Sequence, residues 1–328
     1  MADLGIDLQD SAAAGLGARP RVTRVHHISV PVRDLDEARE FWVRAFGAEP
    51  VSTRRPRFAA VRVADVTVGL AEQDGGWTAR GAEYPHCGFR FAPDAMWSAQ
   101  ARLQALGVPT GRIWTRHGVE GLMYFRDPSG NLFETACWHG LADADALPRD
   151  VRGGGSYRID LEGLNYTWKP PAAGAADGQA VRPTQLDHLS LPVRDMPQTA
   201  RFWVDVLGAT PGRQPNHMVE IAGIDISFNA QPTGWTRRDA EFPHYAFAIA
   251  PEHLLPMKAR LAAFGIPTHP ICTDDDGAAF LYFRDPAGNL FQLHCARGLP
   301  TGAAIPRDAV AGADSHVDLA ALNYDWTG

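Results

Sequence analysis

From residue 25 the chain alternates: Ile28, Val30 and Val32 fall on one face of an extended segment, His27 and Ser29 on the other. That period of two is the mark of a half-buried strand. Asp34 follows, with Glu37 three residues on, a capping-box start for a helix. Its apolar stripe is Ala38, Phe41, Trp42, Ala45 and Phe46, and Gly47 stops it. Two strand-like runs come next, at 57–64 and 66–72. The pattern then restarts with a strand over 86–92, a helix from Asp94 to Leu106 stopped by Gly107, and strands near 111–117, 121–126 and 131–137. The unit is strand, helix, three strands, in roughly 50–60 residues.

The whole arrangement is then written again. HISVPVRD at 27–34 returns as HLSLPVRD at 188–195, and YFRDPSGNLF at 124–133 as YFRDPAGNLF at 282–291. WTARGAEYPH at 77–86 returns as WTRRDAEFPH at 235–244, and even the tails repeat, DLEGLNYTW at 160–168 and DLAALNYDW at 318–326. Such self-similarity predicts a tandem duplication holding four modules. Residues 1–21 read as a flexible N-terminal segment, 22–169 and 184–328 as two domains, and the Pro/Gly/Ala stretch 170–183 between them as a linker.

Composition narrows the function. The length of 328 residues suits two domains, and 45% hydrophobic with 21% charged residues excludes a largely disordered chain. A net charge of −7 argues against a nucleic-acid partner. No long apolar run predicts a membrane span, and Asp3, Asp7 and Asp10 argue against a secretory signal. Cys87, Cys137, Cys272 and Cys295 form no CxxC pair, so a reducing, cytoplasmic setting is expected. A homo-oligomer stays open.

A βαβββ unit that opens with HISVPVRD, ends its helix in FW with a Gly five residues after the Trp, and closes on DPSGNLFE resembles the vicinal oxygen chelate superfamily. That group includes glyoxalase I, extradiol dioxygenases, methylmalonyl-CoA epimerase and bleomycin- or fosfomycin-resistance proteins. The resemblance covers about residues 22–140 and 184–298, and is greatest to two-domain type I extradiol dioxygenases. It implies an α+β fold of tandem βαβββ modules forming two open, half-barrel-like mixed sheets with helices outside.

The resemblance also implies a metal site. Mapped residue by residue, its ligands are His27, His86 and Glu134. Two imidazoles and one carboxylate leave three positions open, the arrangement of non-haem Fe(II) oxygen chemistry, so the implied cofactor is Fe(II), with Mn(II) as the alternative. His26 falls on the opposite face by alternation and reads as structural. The repeat offers His188, His244 and Gln292, in which the carboxylate has become an amide. The C-terminal half is therefore expected to be metal-free, unless His294, on the same strand face as Gln292, substitutes. A third arrangement pairs modules across the halves, so that His188 replaces His27 beside His86 and Glu134. The order is reversed from that usual in such dioxygenases, whose metal sits in the C-terminal domain.

Tyr124, ten residues before Glu134 across the hairpin, and His117 are the expected proton-handling residues. A second-sphere His usual in these enzymes is absent, Ala71 and Glu72 standing in its place. Glu72 is where glyoxalase-type members carry a fourth ligand, and Asn229 is near its place in the repeat. Glu83 and Glu241, three residues before each central His, are candidates to orient an imidazole. Trp77, Trp114 and Trp138 are candidate aromatic walls. The LNY segments, with Asn165, Tyr166, Asn323 and Tyr324, read as packing straps. The function implied is extradiol cleavage of a small catechol-like aromatic with O2. The alternatives are a glyoxalase- or epimerase-like isomerase or lyase using Glu72, and a non-catalytic, drug-sequestering binder.

Overall fold

The computed structural model describes residues 20–77, 81–116, 118–151, 154–172, 180–232, 234, 240–274, 277–297, 299 and 318–328. Four βαβββ modules follow one another. The first is β1 (Val22–Val32), α1 (Leu35–Phe46), β2 (Glu49–Val51), β3 (Phe58–Val63) and β4 (Val66–Glu72). The second is β5 (His86–Arg90), α2 (Ala95–Ala105), β6 (Trp114–Arg116), β7 (Glu120–Arg126) and β8 (Leu132–Cys137). The third is β9 (Gln185–Val193), α3 (Met196–Asp205), β10 (Thr210–Pro211), β11 (Met218–Ile221) and β12 (Ile224–Ala230). The fourth is β13 (His244–Ile249), α4 (Pro251–Ala263), β14 (Cys272–Thr273), β15 (Ala279–Arg284) and β16 (Leu290–Cys295).

The helix signals act as the pattern predicts. The Asp34 carboxylate accepts the Glu37 N–H at 2.9 Å, and Gly47 closes α1 in the left-handed region at φ 61°. Asp94 occupies the cap position of α2 but makes no side-chain cap bond.

The modules form two open mixed sheets of eight strands each. One runs β14-β15-β16-β13-β1-β4-β3-β2, the other β10-β11-β12-β9-β5-β8-β7-β6. The first module therefore shares a sheet with the fourth, and the second with the third. Each half of the duplication, 22–169 and 184–328, contributes one module to each sheet. The joints are antiparallel pairings of opening strands, β1 with β13 and β5 with β9.

Each joint contains a bulge. Val25 and His27 of β1 face consecutive residues Phe247 and Ala246, leaving His26 extra. Likewise Leu186 and His188 face Phe89 and Gly88, leaving Asp187 extra. A bulge breaks the alternation and re-aims one side chain. His26 therefore lines a cleft together with His27 instead of pointing away from it, which corrects the structural role read from alternation.

One continuous apolar core joins the sheets. Trp42 of α1 meets Phe89 and Phe133 of the other sheet with ring centroids 5.8 and 4.9 Å apart. Trp203 of α3 does the same with Phe247 and Phe291, at 5.9 and 4.9 Å. Fully burying one such side chain stabilises by about 1.5–3 kcal/mol. The DPxGN turns tie the sheets a second time. Asn131 Nδ2 donates to the Pro31 carbonyl of β1 at 2.8 Å while Asp127 holds it at 2.8 Å, and Asn289 repeats the clamp onto Pro192 at 3.1 Å. The LNY straps lie over these hairpins, Tyr166 Oη donating to the Arg126 carbonyl and Tyr324 Oη to that of Arg284. No helix of the described residues is long and apolar enough to cross a membrane.

Candidate metal centre

With its helix-bearing face in the core, each sheet turns its other face to a cleft. In the sheet of the second and third modules, His86 opens β5, Glu134 sits in β8 and His188 in β9, and all three are buried. Their ligand atoms lie within 4.8 Å of one another. Gly88 makes room for this, since a Cβ there would run into the His188 ring.

The hydrogen bonds fix which ring atoms face inward. His86 Nδ1–H donates to the Glu83 carbonyl at 2.8 Å, leaving the lone pair on Nε2. His188 Nδ1–H donates to Asp187 Oδ2 at 2.9 Å, with the same result. Glu134 Oε2 lies 3.3 Å from His86 Nε2 and 3.0 Å from His188 Nε2. Its Oε1 is buried with no hydrogen-bond partner. The two Nε2 atoms and the carboxylate thus converge on one point. Without a cation, a proton takes that place. Burial opposes charge on His188, but its bonds to Asp187 and Glu134 outweigh burial and raise it to about 10. Burial pushes Glu134 up, yet hydrogen bonds from His188 and His86 hold it well below the ordinary carboxylate range. A divalent ion would displace the proton, as metal binding to such ligands does. The donor set fits the metal that the family implies.

Tyr124, opposite Glu134 in the β7–β8 hairpin, completes the cluster. Its hydroxyl donates to Glu83 Oε1 at 3.2 Å and lies 3.4 Å from His86 Nε2. Burial, and then the charges of Glu134 and Glu83, push the phenol well above its usual range and keep it protonated. The cleft above measures about 1580 Å³ including its open mouth. Arg116, Glu120, Trp138, Met218 and Phe228 are among its walls, and the Arg213 guanidinium covers the Trp138 ring at 3.7 Å.

His86, Glu134 and Tyr124 are thus brought together as the sequence predicts, and His27 is not. His27 lies in β1 of the other sheet, its Nε2 3.1 Å from His244 Nε2, because β1 pairs with β13 and not with β5. His188 takes the place expected of His27. His117 lies outside the described residues. Glu72 ends β4 in the other sheet, where it pairs with Arg57 at 3.1 Å. Glu83 orients His86 through its backbone carbonyl, and its carboxylate holds Tyr124. Trp114 packs behind Tyr124 with centroids 6.3 Å apart, and Trp77 is buried beside the DPSGN turn, donating its backbone N–H to the Ser129 carbonyl. Sequence reasoning missed Asp187, which also accepts from Trp138 Nε1 and Arg90 Nε at 2.6 Å each. The signal was present: a carboxylate precedes His188 where another histidine precedes His27.

Two open βαβββ sheets, one carrying a buried imidazole–carboxylate cluster whose ligand atoms could hold a metal ion, define the class of this protein. The Glyoxalase/Bleomycin resistance protein/Dioxygenase superfamily model matches residues 24–135 and 185–293, and the chain belongs to that superfamily. Glutathione transferase FosA of Serratia marcescens is 30% identical over 113 residues, 33% of this chain and 79% of that protein. A Bacillus subtilis "putative dioxygenase" shares the fold over 87% of both chains, with a TM-score of 0.57 and 18% identity. A fosfomycin resistance protein FosX from Listeria monocytogenes, solved with Mn(II) and sulfate, aligns over 38% of this chain and 94% of its own at 23% identity and a TM-score of 0.32.

Proposed function

We propose that His86, Glu134 and His188 hold a divalent metal, Fe(II) with Mn(II) as the alternative, and that the protein is an extradiol-type dioxygenase acting on a catechol-like aromatic. The observation that carries this reading is the ligand set. Two tautomer-fixed imidazoles and one buried carboxylate gather with no fourth His, Cys, Asp or Glu among the described residues, leaving room for a chelating diol and O2. The placement of Glu72 in the other sheet weighs against the isomerase alternative, which needs a second glutamate at the metal.

The bound ion would supply Lewis acidity for the diol and an electron for O2 activation. The chain's own residues handle the rest. Tyr124 stands between the ligand imidazole and Glu83, so a proton leaving a substrate hydroxyl can pass through the phenol to the Glu83 carboxylate and return on ring opening. Met218 and the Arg213 guanidinium stacked on Trp138 line the cleft where the ring would lie.

Anaerobic purification followed by elemental analysis, then oxygen-electrode assays on a panel of catechols, tests the reading. About one iron per chain with O2 uptake and a yellow ring-fission product is expected. Zinc, nickel or cobalt without O2 uptake would overturn it in favour of an isomerase. Protein that takes up no metal at all would favour the binding-protein alternative.

A further inference from the structure

The cleft of the first and fourth modules is built in the same register as the metal centre. Arg62 faces Thr67 as Glu220 faces Asp225. Tyr282 faces Gln292 as Tyr124 faces Glu134, and Ser29 faces His244 as Ser190 faces His86. On that register Glu134, Asp187, Asp225, Glu220 and Glu120 become Gln292, His26, Thr67, Arg62 and Ala278. The one acid gained is Asp274, where Arg116 stands in the other cleft.

This donor set does not fit a divalent ion. His27, His244 and Gln292 carry no charge, and the rings satisfy one another. His244 Nδ1–H donates to the Glu241 carbonyl at 3.0 Å, so its Nε2 accepts from His27 Nε2–H at 3.1 Å. His27 Nδ1 in turn accepts from His26 Nδ1–H at 2.8 Å, and His26 stacks on His294 at 3.8 Å. No pair of lone pairs is left converging on a carboxylate. Burial keeps these rings neutral; at His26, held at about 3, the neighbouring His294 and then Arg24 and Arg62 add to it, and at His244, held at about 4, burial with Arg55 outweighs the opposing Glu241. Arg54, Arg55 and Arg62 line the cleft against one carboxylate, Asp274, with Arg55 paired to Glu241 at 2.9 Å.

Arg62, Thr67, His27, Ala246 and Gln292 form one row across five strands. Among the described residues, three buried polar atoms lining this cleft have no hydrogen-bond partner: Ser29 Oγ in a residue 1% exposed, Gln292 Oε1 in one 5% exposed, and His294 Nδ1. Phe58, Phe280 and Tyr282 are apolar wall, and the space is about 1380 Å³ including the mouth. We propose that this cleft binds a small organic carboxylate with an apolar body. Arg62, the Ser29 hydroxyl and the Gln292 amide, its NH2 turned inward, receive the carboxylate, and the body lies against Phe58, Phe280 and Tyr282. The proposal stands independently of the metal centre and of its reaction.

Calorimetric titration of the metal-stripped full-length chain with benzoate tests it. One site per chain is expected, weakened at least about tenfold, roughly 1.4 kcal/mol, by Arg62→Glu and by Gln292→Glu, and unchanged by Glu134→Gln. Arg62 is exposed, so its variant should fold, as circular dichroism would verify. No benzoate binding, equal binding of benzyl alcohol, or loss in Glu134→Gln with retention in Arg62→Glu would each overturn the proposal. So would a second equivalent of Mn(II) or Fe(II) retained by the wild type and lost in His27→Ala.

Discussion

The two clefts share strands of the same kind, the same register, a histidine at the head of β5 or β13, and a tyrosine across the last hairpin, yet they assemble different chemistry. In one, Asp187 and the Glu83 carbonyl take the Nδ1 protons of two imidazoles and turn both Nε2 lone pairs onto Glu134. In the other, His26 stands where Asp187 would, Gln292 where Glu134 would, and the imidazoles hydrogen-bond in series. The difference teaches that histidine geometry alone does not make a cation site. A carboxylate able to receive a cation, and the acceptor that fixes each tautomer, are what separate them.

Ligand removal gives the largest contrast. His188→Ala and Glu134→Gln should each abolish stoichiometric metal after gel filtration, whereas His27→Ala should leave about one ion per chain. Metal loss in His27→Ala would restore pairing within each half as the functional arrangement. Next comes the pair of phenols. Tyr124→Phe should keep metal and lower kcat by about 10²–10⁴-fold with a smaller change in KM, the usual range for a lost general acid–base, while Tyr282→Phe is nearly silent. Equal, small effects would make Tyr124 a packing residue.

Asp187→Asn keeps an acceptor for His188 but removes its charge. Metal affinity measured by chelator competition should fall about 10–100-fold, as for other outer-shell changes, and an unchanged affinity would remove Asp187 from the site. The smallest effect concerns acid. Burial holds His26 at about 3 and His244 and His294 at about 4. These rings are neutral when folded and protonate more readily when unfolded, so their stabilisation is complete above about pH 6.5 and is lost as pH falls towards 4. Relative to the wild type, metal-free His26→Gln/His294→Gln should therefore gain melting temperature steadily across that window. Parallel melting curves from pH 6.5 to 4 would contradict it.

The four modules were legible because each carries its own local signals, the Asp34 cap and Gly47 stop or the DPSGN turn, which act within a few residues. His86, Glu134 and Tyr124 were legible for a related reason, since one module holds all three. The partner histidine was not. His27 and His188 open strands of the same alternating pattern, and either could lie against β5 by local criteria. The choice rests on long-range packing, where Asn131 and Trp42 join the first and second modules by turn and core, leaving the open strand edges to the other half. His26 was misplaced because a bulge is a property of two paired strands, and only one of them is in view when a segment is read alone.

The crossing of modules between sheets bears on how the duplication was used. A chain of half this length would complete either sheet only against a second copy of itself, as a twofold dimer with two identical clefts. Joining the copies replaces an association constant with a tether, which commonly supplies a millimolar effective concentration. It also breaks a genetic constraint. In the dimer every substitution is written into both clefts at once; in the fused chain Glu134 and Gln292, or Asp187 and His26, can be changed one at a time.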